Sequence, residues 1–240
     1  DAPPFGGRLH HALVGHDERL WLIAGETFSE EDGDQVYGDV WLSDDGAAWT
    51  LATAQAPFAA REGLASVSFD GRVWVIGGSN YGGPSETAPA DAGLLNDVWW
   101  STDGAQWTRA TAQAAFSPRS GHAVAVFAGK MWLAGGDPNT FDVWSSADGN
   151  TWTSEPSPPI QPREGHVLVA HAGRLWLVGG QDGSGYDRDV WTFDGTVWKQ
   201  DPASVPFPPR MSAAGVAFDG RLWILAGSEH GARNDVWWIQ

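Results

Sequence analysis

The sequence predicts an all-β fold: a five-bladed β-propeller of four-stranded antiparallel blades, the last blade lacking its outer strand. Three observations predict it. One unit is written five times along the 240 residues. Each unit consists of apolar runs of about 5–8 residues bounded by turn dipeptides such as Asp-Gly, which reads as short strands and hairpins. No segment holds a helical period for three turns. Self-similarity at such a period marks a repeat architecture. One four-stranded sheet cannot bury both its faces, and radial repetition lets the sheets cover each other.

Each unit opens on an arginine: Arg8, Arg61, Arg119, Arg163 and Arg210, 44 to 58 residues apart. A first strand begins there (RLHHALVG, REGLASVSF, RSGHAVAVF, REGHVLVAH, RMSAAGVAF) and ends at a short turn (HDER, DGR, AGK, AGR, DGR). The second strand ends in Gly-Gly or Ala-Gly: LWLIAG, VWVIGG, MWLAGG, LWLVGG, LWILAG. A variable loop leads to Asp-Val-Trp on the third strand. A turn and a last tryptophan follow in four units (SDDGAAW, STDGAQW, SADGNTW, TFDGTVW). The blades are placed at 8–60, 61–118, 119–162, 163–209 and 210–240 of one domain, 1–240. The fifth unit reaches Asp-Val-Trp-Trp with no fourth strand after it. Either that blade is three-stranded, or a piece of chain is missing, or another subunit supplies the strand. A missing outer strand leaves an edge open to pairing, though a monomer is expected.

The repeat accounts for the 16 tryptophans. Trp21, Trp74, Trp132, Trp176 and Trp223 fall on second strands; Trp41, Trp99, Trp144, Trp191 and Trp237 on third strands; Trp49, Trp107, Trp152 and Trp198 on fourth strands. A tryptophan at a repeated position packs blade on blade. Trp100 and Trp238 double their neighbours and, by alternation, face the opposite way.

Composition excludes several classes. Cysteine is absent, which removes disulfides, thiolate metal sites and thiol nucleophiles. The net charge of −16 argues against nucleic acid and anionic membranes as partners. No run approaches the roughly 20 apolar residues of a membrane-spanning helix. No signal peptide is visible; a secreted or periplasmic setting is expected. The Gly pairs end strands with no helix after them, so they are not phosphate loops.

The unit resembles the kelch repeat: a Gly pair after an apolar strand, a loop, an aromatic on the next strand, and a spaced tryptophan. The resemblance covers essentially the whole chain. The fourth-strand turns are similar to the Asp-box turns of sialidase-type propellers, one residue shorter between Asp and Trp. The resemblance implies that partners bind on the face carrying the second-to-third-strand loops and the heads of the first strands, with arginines lining it. Galactose-oxidase-like kelch enzymes need a Cys–Tyr crosslink that this chain cannot make. A sialic acid mutarotase is also a kelch propeller, so an isomerase-like activity stays open. The Glu/Asp/His iron motif of specifier-type kelch proteins is not found.

Three rings of residues are expected at this face. The first is the five arginines, whose planar forks suit a carboxylate or phosphate unless they serve as mortar between blades. The second is His11, Leu64, His122, His166 and Ala213. The third, after each Gly pair, is Glu26, Ser79, Asp137, Gln181 and Ser228. The repeated Asp39, Asp97, Asp142, Asp189 and Asp235 read as structural. No metal or other cofactor is expected; His11, His122 and His166 are a weak metal set against a core role. Glu62 and Glu164, with His122 and His166, are the candidate acid–base groups. Tyr37, Tyr81 and Tyr186, with Phe28 and Phe141, lie in variable loops and read as ligand contacts. The loop Ser79–Asn96 is a candidate lid, and the acidic run 30–34 a solvated loop. The leading reading is a binding module for an acidic sugar or a carboxylate-bearing peptide or protein. Its rivals are a mutarotase or isomerase using Arg with Glu or His, and an assembly scaffold.

Overall fold

The computed structural model describes residues 3–28, 35–80, 93–201 and 205–239, and its fold is the all-β five-bladed propeller. Among the described residues there is no helix. Blade one holds β1 (Ala12–His16), β2 (Arg19–Thr27), β3 (Gln35–Ser43) and β4 (Thr50–Thr53). Blade two holds β5 (Ala65–Phe69), β6 (Arg72–Ser79), β7 (Leu94–Ser101) and β8 (Thr108–Thr111). Blade three holds β9 (Ala123–Phe127), β10 (Lys130–Ala134), β11 (Val143–Ser146) and β12 (Thr153–Glu155). Blade four holds β13 (Arg163–Glu164), β14 (Val167–His171), β15 (Arg174–Asp182), β16 (Gly185–Phe193) and β17 (Trp198–Gln200). Blade five has three strands: β18 (Ala214–Phe218), β19 (Arg221–Leu225) and β20 (Val236–Ile239).

The expected hairpins form. Asp70 and Gly71 have φ of 51° and 68°, and the same pair of positive values recurs at Asp17-Glu18, Ala128-Gly129, Ala172-Gly173 and Asp219-Gly220. Two positive φ angles in a two-residue loop match the right-handed twist of the flanking strands.

The first strands start later than expected. Regular pairing begins four residues after each arginine, because the residue two after it has positive φ: His10 52°, Gly63 59°, Gly121 67°, Gly165 63° and Ser212 53°. A left-handed residue breaks the pleat. The arginine segment therefore lies against the second strand through short bridges such as Glu62↔Ser79. That close approach explains the Gly pair. A Cβ on Gly78, at φ 104°, would sit 2.8 Å from the Glu62 carbonyl oxygen.

The chain packs as two compact units, Asp1–Ser120 with Gly149–Thr151, and Gly121–Asp148 with Trp152–Gln240. In the first, Trp21, Ile23, Val40, Phe58, Val75 and Trp107 share a core. Trp107 meets Phe58 edge-on at 5.1 Å and Trp21 at 6.5 Å. In the second, Trp132, Phe193 and Trp198 form one cluster, and Val178, Val190, Phe207 and Ile224 another. Trp100 and Trp238 do face the other way. Each carries an arginine of the preceding strand over its ring, Arg72 at 4.2 Å and Arg221 at 4.5 Å. In the three-stranded blade Val236 stays 55% exposed, whereas the equivalent Val40, Val98, Val143 and Val190 are 0–2% exposed.

Candidate functional site

The repeat arginines are consumed by the fold. Arg61 is fully buried; it grips Asp97 with both terminal nitrogens (2.7 and 3.0 Å) and donates to the carbonyls of Ala59 and Gly77. Arg210 does the same with Asp235, Pro208 and Ala226, and Arg8 grips Asp39 and donates to Ala24. Arg119 is buried, with Nε donating to the Ser117 carbonyl. The Asp of each Asp-Val-Trp also accepts the indole N–H of its own tryptophan, at 2.7 Å for Trp99 and Asp97 and 2.6 Å for Trp144 and Asp142. Hydrogen bonds from Arg210 and Trp237 hold Asp235 well below the usual carboxylate range. Arginine, aspartate and tryptophan are thus one structural motif, and these arginines do not form an open ring of cations.

The second ring turns inward in three repeats, because alternation along the first strand sends it to the core. Leu64, His122 and His166 are buried, while His11 is exposed and Ala213 half-buried. His166 donates from Nε2 to the Ala134 carbonyl at 3.1 Å and packs on the ring of Phe141. Burial, aided by Arg163, lowers its pKa to about 4, so it is a neutral core imidazole at physiological pH. Among the described residues, the three or more metal-ligating side chains that gather are His10, Glu26 and Glu62, not the weak set His11, His122 and His166.

The third ring divides. Ser79 is buried and bonds Glu62 through the backbone. Asp137 is buried and accepts the N–H groups of Asn139 and Thr140. Ser228 pairs with Met211 through the backbone. Gln181 is half-buried beside Glu164 and Tyr186 in the sheet register. Glu26 meets a side chain of its own repeat, its Oε1 lying 2.6 Å from His10 Nδ1. Of the aromatics expected on loops, Tyr37 sits instead on β3 and Tyr186 on β16, because the second and third strands pair beyond the Gly pair; Tyr37 lies over the Arg8 guanidinium at 4.2 Å and Phe141 is core. Phe28 is 59% exposed. Tyr81 and the acidic run 30–34 lie outside the described residues, as does most of the proposed lid.

Blade four departs from the pattern. Arg163 makes one short bond to Asp189 (2.6 Å), and its Nε, like that of Arg8, has no partner. Its second terminal nitrogen faces Asp187 Oδ2 at 3.5 Å. That oxygen is buried without a hydrogen bond. Desolvation raises the Asp187 pKa to about 6 despite Arg163, with Asp182 and Asp189 adding repulsion. Tyr186 stands next to it, edge-on to His230 at 5.2 Å. Sequence reasoning missed Asp187. The available signal was its slot, two before the repeat aspartate. The other repeats hold Tyr37, Leu95, Thr140 and Arg233 there, so only blade four adds a second acid.

The kelch-type unit read from the sequence is matched by comparison. The profile described as the KLHDC2/KLHL20/DRC7 Kelch-repeats domain matches residues 98–240. No curated protein matches the chain. The solved structure of YjhT superimposes with a TM-score of 0.79 over 98% of this chain and 82% of that one, at 18% identity, a likeness of fold alone. The family match spans more than half the sequence and the repeated Arg–Asp–Trp motif runs through all five blades, so the chain belongs to the kelch-repeat family.

Proposed function

We propose that this kelch domain binds a small acidic ligand, an acidic sugar or a carboxylate-bearing peptide end, at blade four, with Arg163 and Asp187 as its centre. The observation that supports this is the incompletely used fork of Arg163, a side chain 3% exposed whose second terminal nitrogen is covered by Asp187. Where Arg8, Arg61 and Arg210 close both terminal nitrogens on an aspartate, Arg163 spends one on Asp189 and faces the poorly solvated Asp187 with the other. A ligand carboxylate suits that nitrogen better, because an Arg–carboxylate fork is strongest when bidentate. Tyr186, Gln181 and His230 supply an aromatic face and polar groups around it.

The reading has a pH signature. Asp187 is mostly ionised above pH 6 and repels an anion; below it the carboxyl is neutral and Arg163 is released. Uronic acids and N-terminally blocked peptides are the probes, titrated calorimetrically at pH 5 and pH 7.5. Binding is expected to be several-fold tighter at pH 5, and Asp187→Asn to bind at pH 7.5 as the parent does at pH 5. Equal affinity at both pH values, or no binding of any carboxylate, overturns the reading.

A second reading rests on the same carboxyl. A group titrating near 6 suits general acid–base catalysis at neutral pH. Under it, Asp187→Asn abolishes anomer interconversion of a bound acidic sugar, followed by NMR, while binding survives.

A further inference from the structure

We propose that His10, Glu26 and Glu62 form a binding site for a divalent first-row transition-metal ion, Zn²⁺ or Mn²⁺. The site lies within the first unit, in repeats other than that of Arg163, and stands or falls independently of the ligand reading. Three different segments converge: the left-handed residue after Arg8, the end of β2, and the residue after Arg61. His10 Nδ1 lies 2.6 Å from Glu26 Oε1 and 3.7 Å from Glu62 Oε2, and all three ligand atoms fall within 4.8 Å of one another. Around an ion with bonds of about 2.1 Å, neighbouring tetrahedral ligands stand about 3.4 Å apart, so small side-chain movements close the set.

The repeat shows why the cluster occurs here alone among the described residues. Three slots build it: the residue after the Gly pair, the residue two after the arginine, and the residue one after the next repeat's arginine. In the second unit the same slots bring Glu164 Oε2 to within 3.1 Å of where a Cβ on Gly121 would stand. A glutamate after the arginine therefore lies over the left-handed residue of the preceding repeat. That residue is glycine in three repeats and serine in a fourth. Only the first repeat puts a ligating side chain there, and only there does the slot after the Gly pair also supply a glutamate.

The chemistry suits a dication. The side chains of Glu26 and Glu62 are only 13% and 16% exposed, and two carboxylates so placed gain from a countercharge. The ion takes the place of the hydrogen between His10 Nδ1 and Glu26 Oε1, and a neutral imidazole bound through Nδ1 carries its hydrogen on Nε2. One imidazole nitrogen with two carboxylates favours Zn²⁺ or Mn²⁺ over the all-oxygen preference of Mg²⁺ and Ca²⁺. The His10 side chain is 45% exposed, which leaves the open positions facing solvent for water or a ligand oxygen.

The test uses the whole chain, metal-stripped, with Zn²⁺ by calorimetry and Mn²⁺ by electron paramagnetic resonance. One ion per chain is expected, with the thermal midpoint raised. His10→Gly installs the residue that three other repeats carry at the same positive φ, so its fold is safe. It is expected to weaken Zn²⁺ binding at least about 100-fold and to remove the thermal shift, and Glu62→Gln to weaken it at least about 10-fold. Failure of the parent chain to bind either ion, or unchanged Zn²⁺ affinity in His10→Gly, overturns the site. So does Mg²⁺ competing with Zn²⁺ at equal concentration.

Discussion

Replacing Asp187 with asparagine removes a charge the fold holds at a disadvantage. The carboxyl titrates near 6 in the folded protein against an ordinary 3.8, chiefly because burial strips its water. Between those values the folded chain binds a proton that the unfolded chain has released. Its unfolding free energy therefore falls as pH rises through that window. Two pK units set a ceiling of about 3 kcal/mol. The side chain is 24% exposed, and solvent screening brings the expected effect down to about 1–2 kcal/mol. Asparagine has nearly the same shape and no charge. Urea unfolding at several pH values reads the difference between the two proteins, which cancels the titration of all other groups. Near pH 4 they should be equally stable; at pH 7.5 the variant should be more stable by about 1–2 kcal/mol, or about 2–8 °C in thermal midpoint. A difference that does not change with pH, or a variant less stable at pH 7.5 than at pH 4 relative to the parent, refutes the desolvation argument and the ligand proposal built on it.

Two further predictions separate mortar from surface. Asp97→Ala leaves the fully buried Arg61 guanidinium without its countercharge and should cost about 3–5 kcal/mol, whereas Asp44→Ala, from an ion pair 52% and 77% exposed, should cost less than about 0.5 kcal/mol in the same denaturation assay. Val98→Ala empties a fully buried site and should cost about 2 kcal/mol, while Val236→Ala, at the repeat-equivalent but exposed position, should cost less than about 1 kcal/mol; equal costs would show that repeat position rather than burial governs the core.

The candidate site was only half legible. The slots were readable because five aligned copies expose where they vary, and Glu26, Glu62, Gln181 and Tyr186 come from such slots. What the residues do there was not. The five arginines read as a cationic ring because a uniform column of guanidiniums at strand heads is compatible with either anion binding or internal pairing. Burial and the Asp–Trp partners decide it, and these depend on strands 25 to 36 residues further along the chain. Asp187 escaped notice for a similar reason. Its raised pKa comes from poor solvation beside an arginine 24 residues earlier, which no local pattern encodes.

Sequence alone determined the propeller: apolar runs of strand length, paired turn residues able to take positive φ, and Gly pairs at fixed offsets are local properties, repeated often enough to define the blade. It showed no fourth-strand segment after the fifth Asp-Val-Trp, and the structure has three strands in that blade. Tertiary structure decided which repeated residues are spent on packing and which are left over. The left-handed residue after each arginine folds the strand head back over the second strand. That fold buries the arginines, turns His122 and His166 into the core, and lifts His10 toward Glu26 and Glu62. Chemistry follows from that three-dimensional sorting, because a charge acts on ligands only where the fold has not already paired it.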